Sequence, residues 1–166
     1  MSPIAAPMPA PTNVPKNAPT NADAPALLAV LARLVVKDGV SLGLLPEAER
    51  QLALAWVWAG LPQGGVLNEA GINAALKAQL AGPALWLRTD HVELRRWLVD
   101  AGWLQRDGYG REYRRAPAPE RHAALAAAVQ GTDTQTWAAE RRAAHEAERS
   151  ARRERWARQQ APLASA

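Results

Sequence analysis

Cysteine and phenylalanine are absent from this chain, and histidine occurs only three times in 166 residues. Without cysteine there is no disulfide, no thiolate nucleophile and no thiolate zinc site, and three scattered histidines point away from a metal centre. Tyrosine is scarce too, at two residues, so seven tryptophans carry almost all of the aromatic bulk. A buried indole N–H needs a partner, which places these tryptophans at the margins of the core. Charge of one sign is not in large surplus: the formal net charge of +4 permits nucleic-acid binding without arguing for it. No apolar run is long enough to span a bilayer, and MSPIAAPMPAPTN has neither a basic n-region nor an apolar h-region. The expectation is a cytoplasmic protein with no membrane partner, about one domain in size plus tails.

Four stretches differ in composition. Residues 1–25 mix Pro, Ala and Asn with almost no large apolar side chain, which predicts a disordered arm. Residues 26–45 open with ALLAVLARLVV, whose Leu27, Leu28, Leu31, Leu34 and Val35 fall at helical spacing, and Gly39 stands where the helix would stop. This is an accessory helix and linker, with a stripe wide enough to require packing on the main domain or on a partner. Residues 46–115 then predict three helices and a hairpin. The first follows Pro46, with Leu52, Trp56 and Ala59 as its inner stripe; the second is capped by Asn68, with Ile72, Leu76 and Leu80 on one face. Thr89 or Asp90 caps the third, with Glu93 placed for a capping box with Asp90 or for the first turn, and Gly102 as its stop. Trp103–Arg106 and Arg111–Arg115 make two strands around DGYG. Residues 116–166 form an Ala/Arg-rich helical tail with Glu148/Arg152 and Glu154/Arg158 as i,i+4 pairs, and with Trp137 and Trp156 as exposed indoles at the ends of an alanine face, which implies docking on the domain or on a partner. The fold class is mainly α with a small β-hairpin: a winged-helix-like domain flanked by accessory helices.

Candidate chemistry concentrates in residues 90–115. At 100° per residue, Leu94, Trp97, Leu98 and Ala101 share the core face of the helix, while Val92, Arg95, Arg96 and Val99 face away. Arginine bonds bidentately to guanine or phosphate, so Arg95 and Arg96, with Arg111 and Arg114 on the hairpin, are the nucleic-acid-binding candidates. Alternation puts Arg111, Tyr113 and Arg115 on one hairpin face and Glu112 and Arg114 on the other, with Tyr113 as a packing residue. Valine mixed with arginine also suits a protein interface, so Val92, Val99 and Trp137 are the partner-binding candidates. A third possibility is plain surface pairing of the arginines with Asp100, Glu93 or the hairpin. Residues 47–115 carry nine basic and eight acidic side chains, so any cationic surface is a local patch. His91 beside Asp90 and Glu93 reads as a helix-start residue rather than a catalyst. With no nucleophile motif, phosphate loop or metal spacing, neither an enzyme nor a cofactor is expected. The partners implied are duplex DNA, or a protein partner or second copy of the chain.

VLNEAGINAAL followed by LRTDHVELRRWLVDAGWLQRDGYGREYRR resembles the bacterial domain-of-unknown-function 2087 family over residues 47–115. The matching positions are Asn68 and Glu69, Ile72 and Asn73, Asp90 and His91, Leu94 to Arg96, Leu98 to Asp100, Gly102, Leu104, Arg106, Gly110 and Tyr113. Trp97, Asn68 and Gly71 depart from the family's usual residues. The resemblance implies a small α-rich winged-helix-like domain, in that family often joined to helix-turn-helix regulators and sometimes standing alone.

Overall fold

The structure, a computed structural model, describes residues 24–160. The arm expected over 1–25 lies outside the described residues except for Ala24 and Pro25, which open helix α1 (Ala24–Val35) instead of preceding it. α2 spans Glu47–Ala59, β1 Leu67–Asn68, α3 Glu69–Ala81, α4 His91–Asp100, β2 Leu104–Arg106, β3 Glu112–Arg115, α5 Ala123–Val129 and α6 Thr134–Gln160. The mainly α architecture with a hairpin is therefore as expected. Two short 3-10 turns, Leu42–Leu44 and Glu120–His122, complete it.

α2 is the central helix. Every residue from Gln51 to Trp58 is buried, so the single inner stripe expected from Leu52, Trp56 and Ala59 is corrected to burial on all sides, with Ala59 only half-buried. The reason lies outside the stretch matched by sequence. Leu31, Leu34 and Val35 of α1, Ala126 and Val129 of α5, and Ala138 of α6 join the same core cluster as α2, α3 and α4. Both outer helical regions thus dock on the domain. A helix apolar on all sides is stable only when other elements cover every face.

The tryptophans are deeper than expected. Trp56, Trp86 and Trp103 are fully buried rather than marginal, because each indole N–H finds an internal acceptor. Trp56 and Trp86 donate to the Pro83 carbonyl at 3.0 and 3.1 Å, and Trp103 donates to Gln51 Oε1 at 3.0 Å. Residues 82–86 form turns that drive Trp86 inward, and Leu87 makes a parallel bridge with Val40. They are held by Val40, whose N–H donates to the Trp86 carbonyl and whose carbonyl accepts from Arg88 N–H.

A third strand joins the hairpin: β1 pairs antiparallel with β3, giving the sheet order β1-β3-β2. Leu67 lies opposite Tyr113, and Tyr113 opposite Arg106. The order helix, strand, helix, helix, hairpin brings α4 and the hairpin side by side. Asn68 caps α3 as expected, its Oδ1 accepting from Gly71 N–H at 2.8 Å. Of the expected inner face of α3, Ile72 and Leu76 are buried and Leu80 is half-buried; Gln79 takes the remaining inward position and donates to the Gly60 carbonyl at 2.9 Å.

Asp90 caps α4, its Oδ1 accepting from the N–H groups of Val92 and Glu93 at 2.8 Å each. The reciprocal half of a capping box is missing: Glu93 Oε2 accepts from the Thr89 hydroxyl at 2.7 Å instead of reaching back to the Asp90 amide. The N–H of Glu93 foremost holds the Asp90 carboxyl below the usual carboxylate range against an opposing effect of desolvation, with the Val92 N–H adding to the lowering. A lowered folded pKa stabilises the fold above the unfolded value of about 3.9, and that contribution is lost as pH falls through the folded value. Asp90→Ala should therefore lower the thermal midpoint modestly at neutral pH, with Asp90→Asn close to wild type. The Ala difference should shrink below about pH 4; a pH-independent gap in melting curves would contradict the carboxylate cap.

Candidate nucleic-acid interface

α4 is amphipathic, and its inner residues Leu94 and Leu98 are fully buried while Trp97 is half-buried under the guanidinium of Arg50, 5.1 Å from the ring centre. Gly102, with φ +82°, ends the helix and turns the chain into β2. At the hairpin turn, Asp107 Oδ1 accepts from Glu112 N–H at 3.0 Å and Arg111 N–H at 2.7 Å, and the Glu112 bond foremost holds the carboxyl below its usual range. Pairing then decides which side chains face the helices. Arg106 and Tyr113 are partners, and Tyr113 is buried, so this pair lies on the α4 side while Gln105 and Arg114 lie on the other.

The result is a cleft of about 160 Å³ between α4 and the hairpin, lined by Arg95, Arg96, Val99, Asp100, Arg106 and Tyr113. Three guanidinium groups face one carboxylate there. A small cleft with surplus cations and a low-dielectric wall favours an anion, and arginine's planar fork suits phosphate oxygens.

The four arginines expected to act together occupy different environments. Arg96 is exposed on α4, as expected. Arg95 does not face away: its side chain is only 14% exposed, and Nη1 donates to Asn73 Oδ1 at 2.7 Å and to Glu69 Oε1 at 3.2 Å. Its guanidinium also lies 5.2 Å from the Tyr113 ring centre, so it joins α3, α4 and the sheet. Arg114 stands on the opposite hairpin face with Gln105, Asp107 and Glu112, and Arg111 at the turn lies over Tyr109 at 5.8 Å. Arg106 was missed by sequence reasoning; the signal available was its place in the hairpin register opposite Tyr113. Arg115 turns inward with Tyr113, as alternation implies, and stacks on Trp58 at 3.8 Å.

Val92, Val99 and Trp137 are all half-buried. Trp137 is not a free indole: it packs 5.2 Å from Trp56, and the Arg141 guanidinium lies at the same separation from its ring centre. Among the described residues the exposed large apolar side chains are Leu44, Val66, Leu85, Tyr109 and Trp156. Tyr109 at the hairpin tip was also missed, and nothing in a Gly-Tyr-Gly turn distinguishes an exposed ring from one folded back.

The fold and cleft define a class: an α-rich domain with a three-stranded sheet and a cationic seam between one helix and a hairpin. Residues 46–115 match the model of the family described as an uncharacterized protein conserved in bacteria (DUF2087). The matched stretch runs from the start of α2 to the end of β3, so it contains the whole cleft but not α1, α5 or α6. No curated protein and no solved structure matches the chain. Among the described residues no helix is long and apolar enough to cross a membrane.

Proposed function

We propose that the protein is a non-enzymatic, transcription-associated DNA-binding factor that grips the phosphates of duplex DNA between α4 and the hairpin. The observation that carries the reading is the convergence of Arg95, Arg96 and Arg106 on one cleft. The order α2, β1, α3, α4, β2, β3 with β1 beside β3 supports a winged-helix reading of the fold, and with it the same function. The exposed line of α4 runs Glu93, Arg96, Asp100, with carboxylates on both sides of the cation. Such a line suits contact with the backbone near Arg96 better than insertion of the whole helix among phosphates. Phosphate contacts position a protein without reading bases, so the binding is tolerant of sequence.

Arg96 and Arg106 at the cleft, with Arg111 at the hairpin turn, make a footprint of about three phosphates, for which log affinity falls against log salt with a slope near −2.7. Arg96→Ala with Arg106→Ala should reduce the slope to about −0.9 and weaken binding at low salt roughly tenfold or more. A salt titration with labelled duplexes of unrelated sequence measures this. Absence of wild-type binding at low salt, or an unchanged slope in the double variant, would overturn the proposal.

A further inference from the structure

The distal part of α6 carries a feature that the cleft does not use. α6 is 27 residues long, about 40 Å. Its first half is anchored. Thr134 and Ala138 are buried, Trp137 packs on Trp56, and Arg142 donates to the Val35 carbonyl at 2.8 Å and to Asp38 Oδ1 at 2.6 Å. From Arg152 to Gln160 every residue is exposed, so the helix leaves the body of the protein.

Charge is concentrated on that projection and on Arg149, one turn before it beside Val36 and Asp38. Arg149, Arg152, Arg153, Arg155 and Arg158 are opposed within the stretch only by Glu154, a surplus of four that equals the +4 of the whole chain and leaves the remainder balanced. Residues 149, 152, 153 and 156 are spaced i, i+3, i+4, i+7 and share one face. That face therefore presents three guanidinium groups and the ring of Trp156, which is 64% exposed while the other six tryptophans are buried or half-buried. Glu146 pairs with Arg149 at 3.6 Å and Arg153 at 2.9 Å, but these exposed pairs open at little cost.

We infer that Arg149 to Arg158 is a binding arm for single-stranded nucleic acid, with arginines on consecutive phosphates and Trp156 stacked on a base. Arginines beside an outward aromatic ring are what a single strand requires, because unpaired bases offer their faces while those of a duplex are already stacked. A lipid surface fits less well. An interfacial helix needs a broad apolar face, and here Ala151 and Ala157 are the only other apolar side chains from 149 to 160.

The test uses the full chain with a short oligothymidylate, a duplex and vesicles rich in anionic lipid. Oligothymidylate should quench tryptophan fluorescence, and Trp156→Ala should abolish most of that quenching and weaken binding about tenfold. Arg152→Ala with Arg153→Ala should reduce the magnitude of the salt slope by about 1.4, at ~0.7 per phosphate on a single strand. All three positions are exposed, so the fold is untouched. Arg96→Ala with Arg106→Ala should keep the oligothymidylate quenching of Trp156 while losing duplex affinity, which separates this arm from the cleft. The inference is overturned if Trp156→Ala binds oligothymidylate like wild type, if the cleft variant loses the quenching, or if only vesicles change the Trp156 signal.

Discussion

Trp56→Ala should destabilise the protein by about 3–5 kcal/mol, the range for removing a fully buried large side chain. Trp56 has no exposed surface and stands on the helix that α1, α4, α5 and, through Trp137, α6 help to cover. Its indole donates to the Pro83 carbonyl at 3.0 Å, but Trp86 donates to the same oxygen at 3.1 Å, so the acceptor is not orphaned by the substitution. The cost is therefore mainly the cavity and the lost transfer free energy. Trp56→Phe should recover most of it and leave a deficit of roughly 1 kcal/mol for the missing hydrogen bond. Trp137 meets Trp56 from α6 at 5.2 Å and 56°, a tilted geometry in which a coupling of about 0.5–1.5 kcal/mol is usual. Trp137 is half-buried, so its own truncation opens a gap that solvent enters and should cost less. Denaturant unfolding of the two single variants and the double variant measures all of these. A loss below about 1 kcal/mol for Trp56→Ala would mean that α2 is not the centre of the core.

What could be read from the sequence was what depends on near neighbours. The Asn68 and Asp90 caps involve amides two or three residues away, and Gly102 answers a purely local demand for positive φ. Alternation along the hairpin correctly separated Tyr113 and Arg115 from Glu112 and Arg114, since a strand has period two. What could not be read depends on distant partners. β1 is two residues long, and Leu67 and Asn68 become a strand only because β3 lies beside them. The complete burial of α2 needs α1 from upstream and α5 and α6 from downstream. In α6 the expected Glu148/Arg152 and Glu154/Arg158 pairs give way to Glu146 with Arg149 and Arg153, where Glu146 reaches two cations at once. The candidate site followed the same division: Arg96 was placed by helical periodicity, whereas Arg106 joins it only through a strand register.

The misplacement of Arg95 has the second large consequence. Helical angle puts it beside Arg96, yet the two side chains should behave oppositely on truncation. Arg95→Ala removes a charged hydrogen bond of 2.7 Å to Asn73 Oδ1 and the ring contact to Tyr113, and should cost about 1.5–3 kcal/mol. The Glu69 pair adds little, because that carboxylate's side chain is 59% exposed and water competes for it. Arg96→Ala, on an exposed side chain, should stay within about 0.5 kcal/mol of wild type. Arg95→Lys keeps the charge but loses the planar guanidinium beside the Tyr113 ring and the reach of Nη1 to Asn73 and Glu69, so it should recover only part of the loss. Asn73→Ala should reproduce much of the Arg95→Ala cost, and the double variant should cost less than the sum of the singles, because both remove one interaction. The same proteins separate stability from binding: Arg96→Ala should weaken duplex affinity while unfolding normally, and Arg95→Ala should shift the denaturation midpoint first. Equal midpoints for the two alanine variants would return Arg95 to the outward face, and the seam joining α3, α4 and the hairpin would then have to be held by packing around Tyr113 alone.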